Sequence, residues 1–499
     1  MGYSSKLRGA VCFAALVVGG AANADVTAQQ VWDSWKSQMS MYPETALTTT
    51  SEDMSGDTLT VTGLSVKTTS PEMSTEVAID QMTFEEQGDG SVRITMSESY
   101  PMTFTAQSGA VITVDTTYSG LEMVVTGDDT ELNYDVSADT AKLALRDVVD
   151  GDVTFTGNAI LMVNDMTGSY STSETETNNI AYDIDIASID LLVDVKVPGG
   201  KGDYFTGGAK IEGINMQATM ALPLEMDAEH PENFFKDGFA MDGGYSVDGS
   251  SFIFDVNTDG DQAAGSFSAG ATTLAVEFNN DKVAYDADSE NIAFNITGSE
   301  IPFPVEIALD KYNLGFEMPL GKADQPQDFR LSLGLVDLSV NDIIWGMFDP
   351  ASVLPRDPAT IEIAVSGTAT PLINVFDPDQ TMLMNSASPV ELNTVSIDKL
   401  NIAAVGATVT GDGAFTFDPS DMQSFAPLPR PEGEASVQIN GLNALIDNLV
   451  AMGLIPEDQV MGPRMMLGMF ARTTGDDQLE TTVEVNDKGH LLVNGQRMK

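Results

Sequence analysis

The chain has one cysteine and two histidines in 499 residues, and 23 Lys+Arg stand against 75 Asp+Glu. Each shortage excludes a class of chemistry. Disulfide staples and cysteine metal sites fail by number. His230 and His490 are too few for a histidine-rich zinc site. His230 lies in the polar breaker Glu229-His230-Pro231-Glu232 and His490 beside a hairpin turn, so neither marks a Ser-His-Asp triad. The formal charge of −52 argues against nucleic acid, because phosphate binding needs clustered Lys and Arg to release counterions. The same charge repels anionic lipid surfaces, favours solubility and leaves cation binding open. With 42% hydrophobic residues the chain still has material for a core, and its length removes the need for staples.

The single cysteine, Cys12, sits in a segment expected to be removed. Lys6 and Arg8 precede a short apolar stretch, Gly9 to Gly20, followed by Ala22-Asn23-Ala24. This pattern predicts a secretory signal peptide over 1–24, cleaved after Ala24, and a periplasmic product. The stretch is shorter than the roughly 18 residues a spanning anchor needs. Cys12 follows Gly9-Ala10-Val11, a poor lipobox. No later segment is apolar and long enough to span a bilayer.

The pattern after residue 25 is mainly β. A short helix is expected over Thr27 to Met39, capped by Thr27, with Val31, Trp32, Trp35 and Met39 on its packing face. From Thr58 onward apolar residues alternate with Thr, Ser and Asp, and Gly/Asp turns separate the runs. Examples are Val77-Ile79, Val92-Ile94-Met96 and Tyr182-Ile184-Ile186, with turns at Gly88-Asp89-Gly90, Gly127-Asp128-Asp129 and Gly411-Asp412-Gly413. Such alternation predicts antiparallel strands with one wet face, joined as a long twisted meander. The chain divides into a β region over 25–222, a connecting segment over 223–244 marked by Pro223, Pro231 and Gly243-Gly244, a second β region over 245–432, and a C-terminal helical pair plus hairpin over 433–499. Further helices are expected at Asn341 to Phe348, Leu442 to Met452 and from Pro456. Pro223-Leu224 and Pro319-Leu320, each followed by proline and phenylalanine, echo one another. Either a duplicated β unit or shared turn composition accounts for the echo.

Catalytic and binding motifs are mostly missing. No serine stands in a Gly-x-Ser-x-Gly elbow, and Gly321-Lys322-Ala323 fails as a phosphate loop. Gly199-Gly200-Lys201-Gly202 is followed by no helix. Among 75 acidic residues, proximity along the chain selects no carboxylate pair. Asp255-Val256-Asn257-Thr258-Asp259-Gly260 copies half of a calcium loop, but position 12 is Ser266 where a bidentate Glu is needed, and the flanks read as strands. A tight acidic turn is the expectation. No catalytic, cofactor-binding or metal residue is assigned.

One set of segments has a likeness. Asp349-Pro350, Leu354-Pro355-Arg356-Asp357-Pro358, Gly441-Leu442-Asn443-Ala444-Leu445, Met452-Gly453-Leu454-Ile455-Pro456 and Arg464 to Arg472 resemble the exported alphaproteobacterial family catalogued as domain of unknown function 2125. The closing Asn494-Gly495-Gln496-Arg497 fits the same pattern. That resemblance implies no activity and no site residue. More remotely, a strand meander ending in short helices is similar to the AsmA-like envelope proteins, which form β grooves implicated in lipid handling.

A sheet this long must curl, close or pair, since about ten strands is the usual limit for an open twisted sheet. A second layer over its apolar face makes a filled core; a curled sheet leaves an apolar trough. The leading expectation is a non-enzymatic periplasmic protein that binds or carries a lipid or other apolar ligand in a β groove. The rival is an envelope scaffold with a filled core and a protein partner, with calcium in its acidic turns. An enzyme, revealed by convergent carboxylates in a pocket, ranks third.

Overall fold

In the computed structural model, residues 25–40, 44–128, 130–151, 153–196, 202–224, 235, 237–376 and 389–499 are described. The expected export segment, the His230 breaker and residues 199–201 lie outside them. All 27 described strands belong to one sheet, and every strand pair is antiparallel. The mainly β meander expected from the alternation is therefore present, as one continuous sheet.

Four helices accompany the sheet among the described residues. Helix α1 (Ala28–Ser40) opens with a reciprocal cap. The Gln30 amide donates to Thr27 Oγ1 at 3.2 Å, and the Thr27 amide donates to Gln30 Oε1 at 2.8 Å. These bonds satisfy orphan donors of the first turn. Helix α2 (Asp342–Phe348) is capped by Asn341, whose side chain accepts from the Ile344 amide. Helices α3 (Leu442–Ala451) and α4 (Glu457–Phe470) form the C-terminal pair.

The strands run as two copies of one pairing scheme. The first copy comprises β4 (Met73–Glu86), β5 (Val92–Met96), β6 (Ser99–Ala106), β7 (Val111–Ser119), β8 (Glu122–Gly127), β9 (Glu131–Asp150), β10 (Val153–Glu174) and β11 (Thr177–Lys196). The second comprises β12 (Tyr204–Pro223), β13 (Ala240–Val247), β14 (Gly249–Thr258), β15 (Asp261–Ala269), β16 (Thr272–Phe278), β17 (Lys282–Gly298), β18 (Ile301–Pro319) and β19 (Gln327–Val340). In the first, long strand β4 pairs with both β5 and β6, these pair with β8 and β7, and both of those pair with long β9. In the second, β12 pairs with β13 and β14, these with β16 and β15, and both with β17. The starts of β6, β7 and β8 at Ser99, Val111 and Glu122 recur 150 positions later at Gly249, Asp261 and Thr272. The Pro-Leu echo is a different matter. Pro223 ends β12 and Pro319 ends β18, which are not equivalent strands in the two copies.

One turn expectation is corrected. Gly411 to Gly413 lies inside strand β22 (Ala407–Asp418), paired on one side with β21 (Val390–Ala404) and on the other with β23 (Arg430–Asn440). The turn is at Val405-Gly406, both with positive φ. Gly243-Gly244 likewise lies inside β13, which pairs with β12, so the ladder continues through residues 240–244. In each case glycine answers close packing. A Cβ at Gly413 would collide with Ala435, and one at Gly243 with Ala218.

A shared irregularity crosses the sheet. Pairing between β3 (Thr58–Thr69) and β4 skips Gly63 and Asp80 but resumes in the same register. The same single skip occurs at Asp139, Asp165, Ala187, Gly213, Asn291 and Asp310. Gly63, Asp165, Gly213 and Asn291 have positive φ, a region Gly, Asp and Asn tolerate best. Each strand thus carries one extra residue at one level. An extra residue bends a strand and sharpens its twist, so the row creases the sheet along a line. Where a strand is split into two short ones, the break falls on this line, as at Gly120 and Asp248.

The crease makes one glycine testable. Gly213 has φ 60°, close to the 57° of Gly63 on β3, and a Cβ there would collide with the Asp248 carboxylate. Gly213→Ala is expected to destabilise the fold by about 2 kcal/mol, from left-handed strain plus displacement of that side chain. Urea unfolding measures it, and a midpoint unchanged from wild type rejects the crease as a constraint.

Tyr118 ties down the break between β5 and β6. Its hydroxyl donates to the Met96 and Ser97 carbonyls at 2.6 and 2.5 Å. Burial pushes its phenol up to about 12, helped by Tyr100 and Glu98. The raised value favours the neutral form in the folded state. The stabilisation is complete below pH 10 and disappears as pH rises toward 12, where the unfolded chain ionises first. Absorbance titration at 295 nm should show one tyrosine ionising near pH 12, and Tyr118→Phe should remove that step.

Candidate functional site

The candidate site is the apolar face of the sheet. Directly paired residues in an antiparallel ladder point to the same side, so one rung can be followed across the whole molecule. It begins Leu59, Phe84, Ile94, Met123 and Val136. Through β10 and β11 it reaches Met216, Tyr245, Leu274 and Ala287. It ends Leu314, Leu333, Ile363 and Leu400.

Cover over this rung changes along the sheet. At its start α1 lies on it. Val31 and Trp32 are fully buried, and Trp32 packs on Phe84 with ring centroids 5.7 Å apart. The Ala28 amide donates to Glu86 Oε1 at 2.9 Å and fixes the helix entry. This is the core: Leu59, Val61, Met82, Phe84, Val92 and Ile94 are 0–2% exposed. The tryptophan stripe expected as a packing face is one. Further along, the same face opens. Tyr245 is 41% exposed and Leu333 36%.

The next stretch of the face, beyond the crease, is aromatic. Phe252, Phe267 and Phe294 sit side by side on β14, β15 and β17, followed by Ile307 on β18. The three rings are exposed by between a third and two fifths of their surface. Phe254 stacks against Phe252 and lies over Gly265, where a Cβ would strike its ring. Leu331 and Met318 are more than half exposed on the same face. Contiguous exposed apolar surface of this kind marks an interaction site in soluble proteins. The rung was readable as alternation; its cover was not.

The opposite face carries polar side-chain pairs and one apolar patch, where Leu192 and Ile253 are 55% and 60% exposed. Thr83 and Thr95 hydroxyls meet at 2.5 Å across β4 and β5, and Thr368 meets Thr394 at 2.8 Å. Arg330 forms a two-pronged ion pair with Asp286 at 2.6 and 2.7 Å, passing over Gly315, whose Cβ would block it. A smaller hollow on this side, about 410 Å³, is lined by Ile160, Met162, Leu192 and Ile253 around Gly208.

The motif residues have structural placements. Asp255 ends in strand β14, where its Oδ1 accepts from the Tyr204 hydroxyl at 2.9 Å. Asp259 and Gly260 form the turn to β15, both with positive φ, as a tight hairpin requires. Among the described residues no group of three or more His, Cys, Asp or Glu side chains converges as a metal site. His490 donates its backbone amide to Asn486 Oδ1 at the closing hairpin. Asp349 is completely buried and accepts from the Val353 and Leu354 amides at 2.9 Å. Burial raises its carboxyl, but those amides and Arg356 more than offset this and leave it below its ordinary value. Asp477 does the same for the first turn of α3, accepting from the Asn443 and Ala444 amides. Both are carboxylates used to close backbone turns.

No described helix is long and apolar enough to cross a membrane. No curated protein and no solved structure is a significant match to the chain, so the likeness to AsmA-like proteins gains nothing from comparison. Residues 206–495 match the family described as uncharacterized protein conserved in bacteria, DUF2125. That span runs from the second strand copy through the C-terminal hairpin, and it includes the Asp349 and Asp477 turns and the open aromatic face. With more than half of the chain covered, the protein belongs to the DUF2125 family.

Proposed function

We propose that this is a non-enzymatic periplasmic protein that binds or carries a lipid or similar apolar ligand, with its acyl chains along the open face between β12 and β20 (Ala359–Pro371). One observation carries the reading: a single rung of side chains is a buried core under α1, while Tyr245 and Leu333 further along it are 41% and 36% exposed. Exposed apolar surface is costly in water, at about 25 cal/mol per Å², and an acyl chain relieves that cost. The exposed aromatic row offers flat surface without a competing hydrogen-bond donor. A filled-core scaffold would need cover over this face, whereas Tyr245, Phe267 and Leu333 on it are more than a third exposed.

The test is native mass spectrometry of protein purified from its own host's periplasm without detergent. Extra mass that organic extraction removes, fragmenting as phospholipid or fatty acid, is the expected result. A bare mass, together with no binding of a fluorescent long-chain fatty acid, overturns the reading.

A further inference from the structure

The open face carries almost no charge. Its ladder positions from β12 to β20 hold no Lys or Arg, and of the acids only Asp261, at the first position of β15. The cations of these strands stand on the opposite face, each beside a carboxylate. Lys210 pairs with Glu212, Lys282 with Glu277, Lys311 with Asp288 and Arg330 with Asp286. An anionic head group laid on the open face would meet no cation, and tight phosphate or carboxylate recognition depends on one. The charge nearest the crease is acidic, from Asp248 and Asp310.

Polar but uncharged side chains do occur on this face, and they line the crease. Thr272, Ser289 and Tyr312 are directly paired on β16, β17 and β18, and Ser250 continues the line on β14, two residues from Phe252. All four are half-buried. Thr272 and Ser289 satisfy one another. Their hydroxyl oxygens are 2.8 Å apart, and Thr272 Oγ1 donates to the Gly270 carbonyl at 3.3 Å. Among the described residues the Tyr312 and Ser250 hydroxyls have no protein partner. On one side of the line lie Phe252, Phe267 and Phe294, and on the other Leu274, Leu314 and Leu333. Two apolar sectors thus meet at a seam with two free O–H donors and no cation. Ester carbonyls match such a seam: they accept from a hydroxyl, carry no charge and stand where acyl chains begin.

We propose that the ligand is an ester-linked diacyl lipid with no net charge. Its ester carbonyls accept hydrogen bonds from Tyr312 and Ser250 at the crease, and its chains lie on the two apolar sectors. This rests on the lipid-binding function proposed for the same face.

The test is native mass spectrometry of the full chain, stripped of lipid and incubated at 0.15 M salt with vesicles of equal parts dioleoylphosphatidylcholine and dioleoylphosphatidylglycerol. Chains and esters are the same in both, and only the head-group charge differs. Phosphatidylcholine should load about tenfold or more over phosphatidylglycerol. Tyr312→Phe combined with Ser250→Ala should weaken phosphatidylcholine binding about tenfold, the loss expected for two hydrogen bonds. The same double variant should bind diphenylhexatriene, a hydrocarbon with no polar group, as wild type does. Equal loading of the two lipids, or unchanged phosphatidylcholine binding by the double variant, overturns the proposal, while diphenylhexatriene binding upholds the apolar face as a site. The wild-type comparison needs no variant and decides the charge preference even if the double variant misfolds. Binding of neither lipid nor diphenylhexatriene by wild type overturns the proposed function as well.

Discussion

Trp32→Ala is expected to lower stability by about 3–5 kcal/mol, the range for removing a fully buried aromatic side chain. Trp32 is 0% exposed and packs on Phe84, and Lys36 Nζ stands 5.5 Å from its ring. It is the plug between α1 and the first strands, the only place where the described sheet has a fully buried cluster of this size. Trp32→Phe keeps most of the apolar contact and should cost less than half as much. Denaturant unfolding followed by circular dichroism reads both. If Trp32→Ala unfolds at the wild-type midpoint, α1 is not part of the cooperative core.

Phe267→Asp combined with Phe294→Asp is expected to abolish apolar ligand binding, weakening it by at least about a hundredfold. Two charges in the middle of the aromatic row would each have to be desolvated by an acyl chain, and that cost is several kcal/mol per unpaired ion. Both rings are more than a third exposed, so the substitution should disturb folding far less than Trp32→Ala. Fatty-acid binding by fluorescence separates the two variants. Retained affinity in the double variant, with the fold intact, would place any ligand elsewhere and remove the argument from the open face.

Much of the local structure was readable. Thr27 with Gln30 announces α1, Asn341 announces α2, and Gly453 follows α3, because caps depend on a few neighbouring residues. Alternation located the strands for the same reason. The crease was hidden, since one extra residue in a single strand looks like an interruption. Ile307 and Leu309 alternate on odd positions and Leu314 and Phe316 on even ones, yet all four lie on one strand, β18, whose alternation slips by one at Asp310. Only the ladder to Asn291 on β17 reveals that the neighbour slips at the same level. The 150-residue repetition was hidden similarly. It survives in the order of pairing and in small marks one position off that spacing, such as Tyr134-Asp135 and Tyr285-Asp286, while the more visible Pro-Leu echo joins strands that do not correspond. The glycines at 411 and 413 misled because the same residue serves a turn and a close strand crossing.

By itself the sequence determined an acidic, cysteine-poor, mainly β chain, its helices and caps, and its membership of a bacterial family, because each rests on composition or on residues near in the chain. Tertiary structure alone decided that the strands form one continuous sheet, that the crease runs through all the long strands from β3 to β18, and that one apolar face is sealed at Trp32 and open at Phe267. An alternating strand has the same residues whether or not something covers it. Cover is a property of what lies across the face, and it comes from α1 at one end of the sheet.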